Sequence, residues 1–72
     1  MKKVKVYYTE INLRLGERKY RTKTVDVPKK MYDTWDWNGI EITFRAKING
    51  YCQNDSTIKV NKIKVGRAIL QG

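Results

Sequence analysis

The amino-acid sequence predicts a mostly β protein: a small, strongly bent, five-stranded antiparallel barrel of the SH3-like or OB-like kind, with one short helical turn or loop connector. Three observations lead to this prediction. Apolar and polar residues alternate in most segments, turn signals separate these segments, and a length of 72 residues allows one domain only. We expect a single domain over residues 1–72, with a hairpin at 3–27, a connector at 28–39 and strands at 40–70.

The apolar residues of the first hairpin change face midway along each strand. A two-residue type II′ turn at Gly16-Glu17 places Leu13 opposite Tyr20 and Val6 opposite Val27. In this register the apolar side chains of both strands switch to the opposite face of the hairpin at the same position. The corner of a small barrel requires such a switch. The alternative is a hairpin tip that projects beyond the domain towards a partner. Its apolar side chains would be Leu13, Leu15 and Tyr20.

The connector "PKKMYDTWDW" follows the first hairpin. Pro28 can begin one turn of helix, with Met31 and Trp35 spaced i,i+4 on a common side. Of Trp35 and Trp37, we expect one to point inward and cap the barrel and the other to be partly exposed. Asn38-Gly39 then predicts a turn that opens the third strand.

Three segments of the second half predict strands. "IEITFRAKI" alternates strictly, with an apolar face of Ile40, Ile42, Phe44, Ala46 and Ile48. Turn signals follow at Asn49-Gly50 and in "QNDS". "TIKVNKIKV" predicts a strand with a bulge at Asn61-Lys62, where the alternation slips, and "GRAIL" predicts a short last strand.

Catalytic and metal chemistry find little support in the composition. The chain has no histidine and one cysteine, so it offers neither a Cys/His zinc site nor an intramolecular disulfide, and Cys52 is expected to be structural. No phosphate-binding glycine loop and no activated nucleophile is apparent, so we expect a non-enzymatic protein without cofactor or metal. The N-terminus lacks the apolar region of a signal peptide, and no apolar run reaches the length of a membrane span. We therefore expect a cytoplasmic protein that is not embedded in a membrane.

Charge is the main pointer to function. Sixteen Lys and Arg residues against seven Asp and Glu give a formal net charge of +9 at pH 7. Such a balance favours polyanions, here DNA or RNA. The alternative is that lysines merely keep the sheet soluble and protect its edges from pairing.

The predicted strands sort the cations into two outward patches. The main nucleic-acid-binding patch comprises Arg45, Lys47, Lys59, Lys62 and Lys64. The second comprises Arg14, Lys19, Arg21 and Lys23. Tyr7, predicted to point outward beside Lys3 and Lys5, is a candidate platform for base stacking, and Tyr51 is another.

The acidic setting of the tryptophans supports a different hypothesis. Asp33 and Asp36 flank them and would repel phosphates, whereas exposed aromatic residues often anchor protein interfaces. The alternative function is therefore a small protein-interaction or inhibitory module, an accessory protein or assembly subunit, with a homodimer as one form. Its partner-binding surface would be the connector with Tyr32, Trp35 and Trp37, or the hairpin tip with Leu13, Leu15 and Tyr20.

Overall fold

Within the residues that the structure describes, a four-stranded antiparallel sheet is covered by a helix on one face and is open on the other. The computed structural model describes residues 1–48 and 56–71. The elements are β1 (Lys2–Asn12), β2 (Arg18–Val27), α1 (Lys29–Asp33), α2 (Trp37–Ile48), β3 (Ser56–Val65) and β4 (Ala68–Gln71). The strand order is β2-β1-β3-β4, so β1 lies between β2 and β3. The mostly β prediction is confirmed, but the described residues form an open four-stranded sheet and not the predicted five-stranded barrel.

The register of the first hairpin differs from the prediction by four residues. Val27 pairs with Lys2 rather than with Val6, and Tyr20 pairs with Thr9 rather than with Leu13. Because the shift is even, each residue keeps the face that its alternation predicts. The valines of β1 and β2 all face α2, and neither strand turns a barrel corner.

A longer loop explains the shifted register. The side-chain Oδ1 of Asn12 accepts hydrogen bonds from the backbone N–H groups of Arg14 (3.0 Å) and Leu15 (3.1 Å). Gly16 donates its N–H to the Asn12 carbonyl and has a φ of 71°, a left-handed conformation that favours glycine. Residues 13–17 thus close the hairpin, and the predicted two-residue turn at Gly16-Glu17 is wrong.

The strand predicted at residues 40–48 is part of helix α2. Asp36 caps this helix, since its side-chain Oδ1 accepts the Gly39 N–H at 3.0 Å and its carbonyl accepts the Ile40 N–H at 2.9 Å. Asn38-Gly39 therefore lies in the first helical turn and does not open a strand. Ile42, expected inside with its neighbours, is 68% exposed.

The core lies between α2 and the sheet. Ile40, Phe44 and Ile48 follow one another at intervals of four residues, which puts them on one side of the helix, and all three are buried. They pack against the inward residues of the three longer strands, which are Val4, Val6, Val25, Val27, Ile58, Val60, Ile63 and Val65.

Aromatic and apolar side chains close the edges of this core. The Tyr8 ring lies 5.0 Å from the Phe44 ring, centroid to centroid, in a tilted arrangement. The predicted helical turn after Pro28 is confirmed as α1, and it brings Met31 and Tyr32 against the core. The expectation that Trp35 shares a side with Met31 is wrong, because α1 ends at Asp33 and Trp35 follows it with a φ of 53°. Trp37 packs against the core while Trp35 is 58% exposed, so the expectation of one inward and one partly exposed tryptophan is confirmed.

The last two strands agree with the sequence pattern. Tyr7 pairs with Lys62 and Tyr8 with Val60, which leaves Asn61 as the extra residue of the predicted bulge. β4 forms the predicted short last strand. The predictions for the Asn49-Gly50 turn, Tyr51, Cys52 and most of "QNDS" lie outside the described residues.

Candidate nucleic-acid interface

The candidate site is the face of the sheet that points away from α2, called the open face below. Successive side chains of a strand point to opposite faces, so the neighbours of the buried valines and isoleucines are directed to this side. Pairing with β1 fixes which residues of β2 and β3 share it. The charged and aromatic residues of the open face are Lys3, Lys5, Tyr7, Arg18, Tyr20, Asp26, Lys59, Lys62 and Lys64.

The bulge in β3 brings three lysines to the open face. Lys59 and Lys62 are three residues apart, and in a regular strand they would point to opposite faces. The extra residue Asn61 changes the phase, so Lys59 pairs with Thr9 while Lys62 pairs with Tyr7. Lys64 continues the row beyond Lys62. The same bulge keeps the apolar residues on both sides of it, Ile58 and Val60 before and Ile63 and Val65 after, in the core.

Tyr7 lies on the central strand β1 between two ammonium groups. The Lys62 Nζ is 4.7 Å from the centroid of the Tyr7 ring, and the Lys5 Nζ is 5.4 Å from it. Both distances lie within the range of a cation–π interaction. The ring is half-buried and is directed outward beside Lys5, as predicted from the alternation.

A depression beside Tyr7 extends the open face towards the hairpin loop. Its volume is about 380 Å³, and its lining residues are Thr9, Ile11, Arg18, Tyr20, Lys59 and Asn61. Two of its lining residues are joined by a hydrogen bond of 2.7 Å, which the Asn61 side-chain amide donates to the buried Thr9 hydroxyl. Tyr20, another lining residue, is 80% exposed.

The main patch predicted from the sequence is only partly assembled. Lys59, Lys62 and Lys64 lie together, but Arg45 and Lys47 lie on α2 and not on the open face. Arg45 instead donates to the Ile58 carbonyl at 3.1 Å and pairs with Glu41 at 3.6 Å, one turn before it. The error follows directly from interpreting residues 40–48 as a strand. Lys3, Lys5 and Arg18 take the place of the two α2 residues.

The second predicted patch lies on the opposite side of the sheet. Lys19, Arg21 and Lys23 share the α2 side of β2, while Arg14 lies in the 13–17 loop and is separate from them. The Arg21 Nε contacts the Glu10 Oε2 at 3.2 Å. Because the Glu10 carboxylate already pairs with Arg21, in the middle of these three cations, this surface is less suited to phosphates than the open face.

Carboxylates are distributed unequally between the two sides. Within residues 1–48 and 56–71, Asp26 is the one carboxylate of the open face, at its end opposite Lys3. The others lie in the 13–17 loop, in the connector, on α2 or on the α2 side of β1; Asp33, for instance, pairs with Lys29 at 3.3 Å. Among the described residues, the open face therefore carries six cationic side chains and one carboxylate.

The surfaces predicted for a protein partner are smaller than expected. Tyr32 and Trp37 pack against the core, so Trp35 is the exposed aromatic residue of the connector. In the hairpin loop, Leu13 and Leu15 are 64% and 65% exposed. Tyr20 lies on the open face rather than at the tip, because the register places it opposite Thr9.

Comparisons with protein-family models, curated proteins and solved structures found no match to the chain. Neither of the helices in the described ranges is long and apolar enough to cross a membrane. In the same part of the chain, no three His, Cys, Asp or Glu side chains are grouped so that they could hold a metal ion.

Proposed function

We propose that the protein is a non-enzymatic, cytoplasmic nucleic-acid-binding domain that contacts the phosphates of DNA or RNA through its open face. The observation that carries this proposal is the position of Tyr7 between Lys5 and Lys62, within a row of lysines that spans two neighbouring strands. Lysines of this density suit a polyanionic backbone, and an aromatic ring among them suits a nucleobase.

The pairing of β1 with β3 gives independent support. Lys5 lies directly opposite Lys64, although like charges on directly opposed residues destabilise a sheet. Solubility alone does not require such a pair, since lysines spaced further apart would serve equally well. A phosphate bound between the two ammonium groups would remove their repulsion, so the arrangement is favourable when a polyanion is bound.

Salt dependence tests the proposal quantitatively. We assume that each of four open-face lysines neutralises one phosphate, namely Lys5, Lys59, Lys62 and Lys64. The log–log slope of affinity against salt concentration is then about −3 for a single strand and about −3.6 for a duplex. Fluorescence anisotropy of a labelled oligonucleotide, titrated at several salt concentrations, measures this slope. Absence of binding to single- and double-stranded DNA and RNA at low salt would refute the proposal.

A matched pair of triple variants locates the site. Replacing the β3 lysines Lys59, Lys62 and Lys64 by Gln should reduce the slope by about 2 to 3, because three phosphate contacts are lost. The control replaces Lys29, Lys30 and Lys47 by Gln, which removes the same charge from the helices, and should leave the slope nearly unchanged. Equal losses in both variants would show that net charge, and not the open face, determines binding.

A second candidate function is the protein-interaction or inhibitory module, as an accessory protein or assembly subunit. The exposure of Leu13 and Leu15 at the hairpin loop favours it, with a homodimer as the simplest form. Sedimentation at increasing concentration tests the dimer, with a variant carrying Leu13→Ser and Leu15→Ser as control. A mass that rises with concentration in the original protein alone supports it, and a monomer throughout excludes it.

A further inference from the structure

We infer that the open face selects single-stranded over double-stranded nucleic acid, with the sugar-phosphate backbone along β3 and the bases directed towards β2. This inference rests on the proposed function and names the substrate class for the same site. It depends on three features of the open face: the separation of its charged and neutral strands, the position of its two tyrosines, and its width.

The two strands that flank β1 differ in chemistry on the open face. β3 presents a row of three lysines, Lys59, Lys62 and Lys64. Between its charged ends, β2 presents neutral residues that can stack or form hydrogen bonds, namely Tyr20, Thr22 and Thr24. Because β1 lies between them, the two rows are separated by two strand spacings, about 9 to 10 Å. Phosphates on the lysine row would therefore direct their bases across β1 towards the neutral row.

Tyr7 and Tyr20 are placed to stack on neighbouring bases. Tyr7 pairs with Thr22, and Tyr20 is two residues further along β2, which makes the two tyrosines diagonal neighbours about 7 to 8 Å apart. Tyr20 is 80% exposed, and the depression beside it leaves space above Thr9 for a planar base. In a duplex the base faces are already stacked on each other, so neither ring would gain a partner. Unpaired bases offer free faces to both rings.

The ammonium groups over Tyr7 do not prevent stacking. At exposed sites a cation–π contact is weak, whereas a phosphate attracts an ammonium group strongly. When a strand binds, Lys5 and Lys62 can therefore turn from the ring to the neighbouring phosphates. The face of the Tyr7 ring would then be available to a base.

The width of the open face also disfavours a duplex. Four strands at the usual spacing measure about 14 Å between the outer two, while the major groove is about 12 Å wide and admits a two-stranded ribbon. The sheet cannot place its central residues, Tyr7 among them, against base edges in that groove. A flexible single strand has no such restriction.

Competition binding tests the preference directly. A fluorescein-labelled single-stranded DNA of about 16 nucleotides, the upper end of known site sizes, is displaced by unlabelled single-stranded DNA, single-stranded RNA of the same sequence, or the DNA duplex. We expect one or both single strands to compete about tenfold or more better than the duplex at equal strand concentration. The two single-stranded competitors distinguish DNA from RNA as the source of the unpaired bases.

Tyrosine variants test the mechanism. Tyr7→Leu and Tyr20→Leu should each weaken single-strand binding by about 5- to 150-fold, the usual effect of losing one stacked base, and should change duplex binding little. Tyr7→Phe and Tyr20→Phe keep the ring and should bind nearly as well as the original protein. Trp35→Leu removes an exposed aromatic residue that lies outside the open face and serves as the matched control.

The outcomes separate the inference from the proposed function. Duplex that competes as well as or better than both single strands, or tyrosine variants that lose both ligands equally, would overturn the inference and leave nucleic-acid binding intact. Failure to bind any oligonucleotide at low salt would overturn both. If Tyr7→Leu does not fold, as judged by circular dichroism, the highly exposed Tyr20 carries the test alone.

Discussion

Two isoleucines of α2, two residues apart, provide a sharp test of the fold. Ile40 is completely buried and Ile42 is 68% exposed, because residues two apart on a helix point in very different directions. In the strand predicted from the alternation, both would lie on one buried face. Ile40→Ala and Ile42→Ala are the same chemical change, so any difference between them reports the position of the side chain.

The expected difference is large for a protein of this size. Truncating a buried isoleucine to alanine costs about 2 to 5 kcal/mol, which approaches the roughly 3 to 5 kcal/mol available to a domain of this length. At an exposed helical site the same change stays within about 0.5 kcal/mol, since alanine has the higher helix propensity. With about 4 to 8 °C per kcal/mol, Ile40→Ala should lower Tm by at least about 8 °C or unfold the chain, and Ile42→Ala should shift it by less than about 4 °C.

Thermal unfolding followed by far-ultraviolet circular dichroism measures both variants, and urea unfolding gives the free energies. Similar losses at Ile40 and Ile42 would refute the helix and favour a strand at residues 40–48. Such a result would also place Arg45 and Lys47 on one face of a strand, so the set of cations on the open face would have to be revised.

Two further predictions concern the elements that frame α2 and the hairpins. Asp36→Ala should destabilise the fold by about 1 kcal/mol, because the Gly39 N–H loses its hydrogen-bond acceptor, while Asp36→Asn should retain most of the stability. Equal urea midpoints for the original protein and the Ala variant would contradict this role of Asp36. Gly66→Ala should lower Tm more than Gly16→Ala. Both glycines have positive φ, but of the two only Gly66 has a neighbouring atom that an added Cβ would meet, the Tyr32 hydroxyl oxygen at 2.6 Å. A larger loss of Tm at Gly16 would contradict this contact.

The helix could not be assigned from alternation alone because its buried residues fit two periods. Ile40, Phe44 and Ile48 recur every four residues, and this spacing satisfies both a strand of period two and a helix of period 3.6. The exposed Ile42 and Ala46 complete the false alternation. A signal for the helix is present in Asp36, an N-cap residue three positions before Gly39, but the Asn38-Gly39 turn signal that follows it favours a strand start.

Strand faces were predictable where strand register was not. The faces of β1 and β2 follow from local alternation, and they survive the four-residue shift because the shift is even. The register depends on the length of the loop, which is fixed by the side-chain hydrogen bonds of Asn12. The bulge at Asn61 was visible in the sequence, since the apolar phase itself slips there.

The set of residues on the open face depends on strand order, and the alternation of apolar and polar residues does not reveal strand order. Lys5 and Lys64 are distant in sequence and become neighbours only because β3 pairs with β1 rather than with an adjacent hairpin strand. For the same reason Lys62 was grouped with helical residues and not with Tyr7. Each strand's contribution could be predicted separately, but their combination into one surface is a tertiary property.

The open sheet of the described residues changes where the positive charge lies. In a closed barrel, outward lysines would spread around a convex surface, whereas the sheet of the described residues holds Lys5, Lys62 and Lys64 on one face with Tyr7 among them. Directly opposed lysines such as Lys5 and Lys64 cost the free protein about 0.2 to 1 kcal/mol, on a total of only about 3 to 5 kcal/mol. A bound phosphate would remove that repulsion and would stabilise the fold by mass action as well. The feature that weakens the isolated domain is therefore the one that would favour its complex with a polyanion.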